Sequence, residues 1–194
     1  MAAKPGERKL QILQTVAHML EQPKGEKITT AALAAKLELS EAALYRHFAS
    51  KAQMFEGLIE FIEQTVFGLI NKITQEEKSG LKQVEAIVSM LLGFAQKNRG
   101  MTRVLIGDAL VNEDERLQIR INQLMDRLET TLKQSLRMAA TQGEMGESVD
   151  VGAHANVLLC YVVGRWLQFG KSGFSREPLA LWPAQMQILL GKKA

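Results

Sequence analysis

The residues best suited to chemistry lie in the run Ser40-Glu41-Ala42-Ala43-Leu44-Tyr45-Arg46-His47-Phe48-Ala49-Ser50-Lys51. That chemistry is recognition of a polyanion rather than bond-making. Glu41 suits acceptance from a cytosine amino group, and the methyls of Ala42 and Ala43 suit contact with thymine methyls. Thr29, Thr30, Tyr45, His47 and Lys51 suit the positioning of phosphates. Arg46 shares the same polar side, and Ser40 stands where it caps the segment. Lys51 and the helix that follows Ser50 also present backbone N–H groups to an anion. Elsewhere the chain holds no glycine-rich phosphate loop, no nucleophile elbow and no paired metal-ligand spacing. His18, His47 and His154 are scattered singly. The expectation is a binding protein that is not an enzyme and takes no cofactor or metal.

These side chains need two short helices to hold them. Thr29 or Thr30 caps a helix that runs to about Leu37, Glu38-Leu39 turns the chain, and Ser40 caps a second helix over Glu41–Phe48. Leu33 and Leu37 on the first, and Leu44 and Phe48 on the second, are each spaced i,i+4. They converge on one small core shared with a preceding helix striped by Leu10, Leu13, Val16/Ala17 and Leu20. Ala31, Ala32, Ala34 and Ala35 let the two short helices approach. This is helix-turn-helix geometry, in which the second helix enters the major groove.

Beyond the reader the 3.6-residue period continues and no alternating run appears. Helices are expected from Lys51 to about Lys78 and at about 80–98, 101–111, 114–140, 149–172 and 179–190. Pro23-Lys24-Gly25, Gly80, Arg99-Gly100, Asn112-Glu113, Gly143 to Gly146 and Ser172-Gly173 punctuate them. Thr141 to Ser148 reads as the one flexible loop. Pro183 requires that the last helix begin near Trp182 or kink. Leu117, Ile121, Leu124, Leu128 and Leu132 repeat like a coiled-coil seam but read better as the buried face of a bundle helix.

Charge agrees with the placement of the reader. Residues 1–51 hold 8 Lys+Arg and 5 Asp+Glu, whereas the remainder holds 16 of each. The whole net charge of +3 therefore sits in the N-terminal quarter, as a polyanion partner requires. The single cysteine, Cys160, excludes an intramolecular disulfide framework. It stands in the apolar run 157–163, which predicts a buried thiol. That run is too short to span a membrane, and no targeting segment is read, so the chain is expected in the cytoplasm.

The run Leu44-Tyr45-Arg46-His47-Phe48 followed by Ser50-Lys51, after Ile28-Thr29-Thr30 and Leu33-Ala34, resembles the reader of TetR-type regulators. The resemblance implies an all-α chain: a three-helix DNA-binding domain over 1–52, then a helical dimerisation and regulatory domain over 53–194. One departure is Glu38, which stands where the family commonly has glycine. If the turn needs positive φ there, the substitution costs about 1 kcal/mol. The family dimerises through its last two long helices. Val157, Tyr161, Trp166, Phe169, Trp182, Met186 and Leu190 are the expected contacts. A two-fold dimer implies a palindromic DNA site, with the option of two dimers on one site.

Further segments narrow the resemblance: Ser40 to Phe48, Phe55 with Leu58 to Glu63, Leu91 to Phe94, Arg120 to Leu124, and Trp182-Pro183. They are similar to the nucleoid-occlusion branch of the family. That resemblance implies a nucleoid-associated protein whose partner is the tubulin-like division protein FtsZ. On the fourth helix Phe55, Ile59, Ile62, Val66, Leu69 and Ile73 form the core stripe. Phe61 stands off it with Met54, Thr65, Gly57 and Gly68. On the fifth helix Met90, Gly93 and Lys97 align, with Asn98 at the end. Phe61, Met90, Gly93, Lys97 and Asn98 are the expected partner contacts. The rival reading is a metabolite-responsive repressor using groups such as Asp108, Asn122 and His154.

Overall fold

A computed structural model of the chain describes residues 5–22, 28–146 and 148–191. The expected Pro23-Lys24-Gly25 break lies outside the described residues. Those described form α1 (Pro5–Leu20), α2 (Thr30–Lys36), α3 (Glu41–Tyr45), α4 (Lys51–Glu76), α5 (Gly80–Lys97), α6 (Arg99–Leu105), α7 (Glu115–Thr141), α8 (Val151–Lys171) and α9 (Trp182–Leu190). A single 3-10 turn covers Asp108–Leu110, and no strand occurs among the described residues. The fold class is all-α, as the periodicity predicts.

Local chemistry sets most helix ends. Thr29 accepts from the Ala32 N–H, Ser40 from the Ala43 N–H and Ser50 from the Gln53 N–H. Each hydroxyl thereby satisfies a donor that the first turn leaves unpaired. Asp150 does the same for α8, accepting from Gly152 and Ala153 at 2.8 and 3.0 Å. Those two bonds, Ala153 first, hold its carboxyl below the ordinary aspartate range. Pro183 falls in the first turn of α9, where its missing N–H is harmless, so the helix begins there instead of kinking.

One expected helix is cut in two. The segment 101–111 is helical only to Leu105, because Gly107 turns left-handed (φ 75°) and the chain restarts as the 3-10 turn. Residue 100 is not a break either. Gly100 lies inside α6 against α1, where an added Cβ would stand 1.8 Å from the Ala17 carbonyl oxygen. Only glycine lets the two backbones approach this closely.

The chain divides into two compact units, Met1–Ile62 with Asn98–Ile121, and Glu63–Lys97 with Asn122–Ala194. The first therefore holds more than the 1–52 reader: it includes the start of α4, all of α6 and the start of α7. Ile12, Val16, Leu33, Leu44, Phe55, Ile59, Val104 and Leu117 are buried there. In α1 the buried face is Ile12, Val16, Ala17 and Leu20, while Leu10 is exposed. The stripe is thus rotated from the expected phase. The second unit buries Val84, Ile87, Leu91, Leu124, Leu128, Leu132, Leu158, Val162 and Trp166, and α5 packs on α8. The α7 repeat is an internal face, since Leu117, Ile121, Leu124, Leu128 and Leu132 are all buried. In α4, Leu69 is exposed and Ile70 takes its place inward, while Met54 is fully buried and not off the stripe. Helical drift over this long stretch moves the inward position by one residue.

Two outcomes follow. Gly100→Ala forces α1 and α6 apart and lowers stability by about 3 kcal/mol, measured by urea denaturation. Asp150→Ala lowers the melting temperature at neutral pH. A carboxyl whose folded pKa is depressed stabilises above its unfolded value and loses that contribution as pH falls through the folded one. The gap between variant and wild type in a pH series of thermal melts is expected to close in acid.

Candidate nucleic-acid interface

The two short helices of the reader, α2 and α3, are joined by a turn whose geometry is specific. The Leu39 N–H donates to Ala34 O at 2.9 Å and the Glu38 N–H to Ala35 O at 3.1 Å. These are the paired bonds of a Schellman motif, which needs a left-handed residue at its hinge. That residue is Glu38, with φ 54°. The conformation expected of glycine is therefore present, carried by a residue with a Cβ. Beneath the turn Leu33, Ala34, Leu37, Leu44 and Phe48 are buried as the i,i+4 spacing requires. Ala31, Ala32 and Ala35 are exposed, so of the four alanines only Ala34 mediates the close approach.

The helix proper of α3 ends at Tyr45, short of the expected Phe48. The chain continues as a tight turn in which the His47 and Phe48 N–H groups both reach Leu44 O. That turn swings Phe48 inward, where Lys9 Nζ lies 5.6 Å from its ring centroid. Gly57 faces this cluster, with an added Cβ meeting Phe48 and Leu13 at 3.2 and 3.3 Å. Its smallness serves the reader core and not the vicinity of Phe61.

The candidate DNA contacts are mostly at the surface. Thr29, Ser40, Glu41, Ala42, Tyr45 and Arg46 are exposed, and Thr30, Ala43 and His47 are half-buried. Two of them are tied together: Thr30 donates to Glu41 Oε2 at 2.7 Å. This bond links the start of α2 to the start of α3 and fixes the carboxylate before any base is met. An ionised carboxylate accepts several hydrogen bonds, so Glu41 retains capacity for a cytosine amino group. At the head of α4, Ser50 takes the Gln53 N–H, and Gln53 Oε1 in return takes the Ala49 N–H at 2.9 Å. This reciprocal cap spends a donor that the sequence offers to an anion.

Lys51 has a partner within the chain. Its ammonium is bonded to the Glu113 carboxylate, and it stands over the Phe55 ring, 5.6 Å from the centroid. The side chains are 22% and 12% exposed. Spacing could not have found Glu113, which lies 62 positions away in sequence.

The remaining expected sites fall as follows. Phe61 is exposed (36%) near the end of the α4 segment in the first unit, and Asn98 is half-buried in the same unit. On α5, in the second unit, Met90 and Gly93 are half-buried and Lys97 is exposed. Of the repressor candidates, Asp108 pairs with Arg103 at 3.3 Å, the His154 ring meets Leu189 O at 2.7 Å, and Asn122 is exposed on α7.

Most of the expected dimer contacts lie in the interior of the chain. Trp166, Phe169, Trp182 and Leu190 are buried within the chain's own core. The Trp166 indole donates to Leu91 O at 3.1 Å, and Phe169 packs edge-on against Phe174. Tyr161 and Met186 are half-buried, and the Tyr161 hydroxyl donates to Gln185. Val157 alone among the seven is well exposed. The surface of α8 instead carries Ala153, Val157, Cys160 and Leu167 in the open, with Gly164 on the same stripe at i, i+4, i+7 spacing. Cys160 is thus exposed, not the buried thiol expected. Ile188 of α9 is 80% exposed. Small residues at helical spacing thus make up the open face of α8.

Comparison with known proteins gives this geometry its relatives. Residues 17–58 match the family described as bacterial regulatory proteins, tetR family. Residues 78–193 match the tetracyclin repressor-like, C-terminal domain, of SlmA-like type. The chain is similar to the nucleoid occlusion factor SlmA of Marinomonas sp. (strain MWYL1), with 48% identity over 97% of this chain and 96% of that protein. It is 54% identical to the protein of that name from Alteromonas mediterranea, over 91% of each. Among solved structures it resembles the TetR family regulator PfmR of Thermus thermophilus, with TM-score 0.77, 22% identity and coverage of 93% and 97% of the two chains. FadR of Bacillus subtilis, solved with stearoyl-CoA, gives TM-score 0.76 at 13% identity, over 95% and 99%. At such identities the structures speak for the fold alone.

Proposed function

The chain belongs to the SlmA family of tetracyclin repressor-like proteins, and on that premise we propose that it is a sequence-specific DNA-binding nucleoid occlusion factor. It binds palindromic chromosomal sites as a homodimer, there antagonises FtsZ assembly, and so prevents septum formation over the nucleoid. The observation that carries this reading is identity near one half along nearly the whole chain to proteins named for that role. The reader supports the DNA half: caps, turn and exposed polar residues all agree with major-groove docking. No described helix is long and apolar enough to cross a membrane, and the place of action is the nucleoid within the cytoplasm.

The dimer forms through the α8 stripe Ala153, Val157, Cys160, Gly164 and Leu167 together with Ile188. A lengthwise apolar stripe on a helix otherwise packed in its own core favours a second copy. Trp166, Phe169, Trp182 and Leu190 support that face from behind. The FtsZ contacts are Phe61 and Asn98 in the first unit, and Met90, Gly93 and Lys97 in the second. An exposed aromatic is suited to anchor a partner segment. DNA and FtsZ are coupled, and coupling of binding is reciprocal: each ligand tightens the other.

A second reading, the metabolite-responsive repressor, draws on a cleft of about 330 Å³ in the second unit, lined by Phe67, Asn71, Thr74, Gln83, Ser135 and Met138. Its apolar wall at Phe67 and Met138, set with polar groups, suits a small ligand. Sedimentation of polymerised FtsZ with this protein, with and without a selected palindromic duplex, separates the two. DNA is expected to enhance co-sedimentation or filament loss. Phe61→Ala is expected to weaken the FtsZ effect at least tenfold, about 1.4 kcal/mol, with DNA binding intact. Tight DNA binding with no effect on FtsZ in any condition favours the repressor.

A further inference from the structure

We propose that Glu113 is a positioning residue for DNA reading, acting through Lys51, and that Lys51 stays on Glu113 when DNA is bound. The inference rests on the DNA-reading half of the function proposed above.

Lys51 is the first residue of α4, directly behind the reader. Such a lysine is expected to meet a phosphate, yet its ammonium is bonded to Glu113 and stands over Phe55. The carboxylate is held by an ordered turn. Asn112 is left-handed (φ 63°), and the Glu113 N–H donates to Leu110 O at 3.0 Å. The same stretch grips α4 again one turn on. Arg120 Nη1 donates to the Glu56 carbonyl at 3.3 Å, and Arg116 pairs with the Glu56 carboxylate at 3.5 Å. Behind it, α6 is seated on α1 at Gly100. All of these groups lie in the first compact unit. The segment 98–121 is therefore a brace that sets where α4 begins, and with it where α3 is presented.

Electrostatics argues against exchange. At 12% exposure the Glu113 side chain is largely withdrawn from water. Moving Lys51 to a phosphate would strand that carboxylate, and an uncompensated buried charge is costly. The ammonium also gains little by leaving, since it would trade a desolvated partner for a hydrated one.

This produces a signature that charge alone cannot mimic. Removing an acidic group from a DNA-binding unit strengthens attraction to the polyanion. A positioning Glu113 reverses that sign. The test is DNA binding by the full-length chain on a duplex selected from random sequence, followed by anisotropy across a salt series, with circular dichroism melts to establish folding. Glu113→Gln and Lys51→Met are each expected to weaken binding about tenfold, and the double variant no further, as members of one pair behave. The slope of log affinity on log salt is expected to stay at the wild-type value. The swapped pair Lys51→Glu with Glu113→Lys is expected to recover affinity to within about threefold of wild type, because a carboxylate is tolerated at a helix start.

Tighter binding by Glu113→Gln overturns the proposal. So does a fall in slope of about 0.9 for Lys51→Met, which marks one lost phosphate contact, or a swapped pair that folds and stays inactive. A wild-type chain that selects no duplex removes the DNA-reading premise and the inference with it, and is distinguished from the other failures by the wild-type control alone.

Discussion

The first unit depends on one steric constraint, the contact of α1 and α6 at Gly100, where there is no room for a Cβ above the Ala17 carbonyl. Because the backbones touch there, α6 and the segment that follows belong with the reader rather than with the helices of the second unit. Everything else in that unit is built on this seating. Glu113 and Arg116 are thereby brought to the head of α4. The reader's own core, from Ile12 through Leu44 to Phe55, closes beside them. A three-helix reader has little apolar surface to bury, so a fourth and fifth element packed against it contribute the rigidity that base reading needs.

The reader shows how a departure from a family's usual residue is tolerated. Glu38 takes the left-handed hinge of the turn at a cost of about 1 kcal/mol, and the Schellman bonds to Ala34 and Ala35 still form. The Thr30–Glu41 bond also ties α2 to α3 across this turn. Phe174 repeats the theme after α8. It is left-handed at φ 67°, held by its N–H on Phe169 O and by edge-on ring packing with Phe169. In both places hydrogen bonding and burial offset backbone strain, which is how a local rule is broken without loss of the fold.

What could be read in the sequence, and what could not, follows from the range of each interaction. Caps are local, so Ser40 and Ser50 could be assigned from residue type alone and the α2 cap narrowed to Thr29 or Thr30, and with them the helix starts. The i,i+4 pairs Leu33/Leu37 and Leu44/Phe48 were equally legible, and they locate the candidate DNA-reading surface. The rest depends on partners distant in sequence. Gly100 looks like a helix break until α1 is laid against it. Lys51 looks like an unpartnered cation until Glu113 arrives from 62 residues away. Aromatic size suggested Trp166 and Phe169 for the dimer face. They serve the chain's own core instead, and the small residues Ala153, Cys160 and Gly164 are left outside.

If the α8 stripe joins two copies, the reader must meet DNA as a two-fold pair, and the symmetry of the preferred site is the most direct test of the whole account. Duplexes selected from a random pool by the wild-type chain are predicted to share a palindrome with half-site centres about one helical turn, roughly 34 Å, apart. Leu167→Glu, which buries a charge at the two-fold face, is predicted to sediment as a folded monomer and to enrich no palindrome. An asymmetric wild-type motif, or a Leu167→Glu chain that remains dimeric and selects the same palindrome, would contradict it.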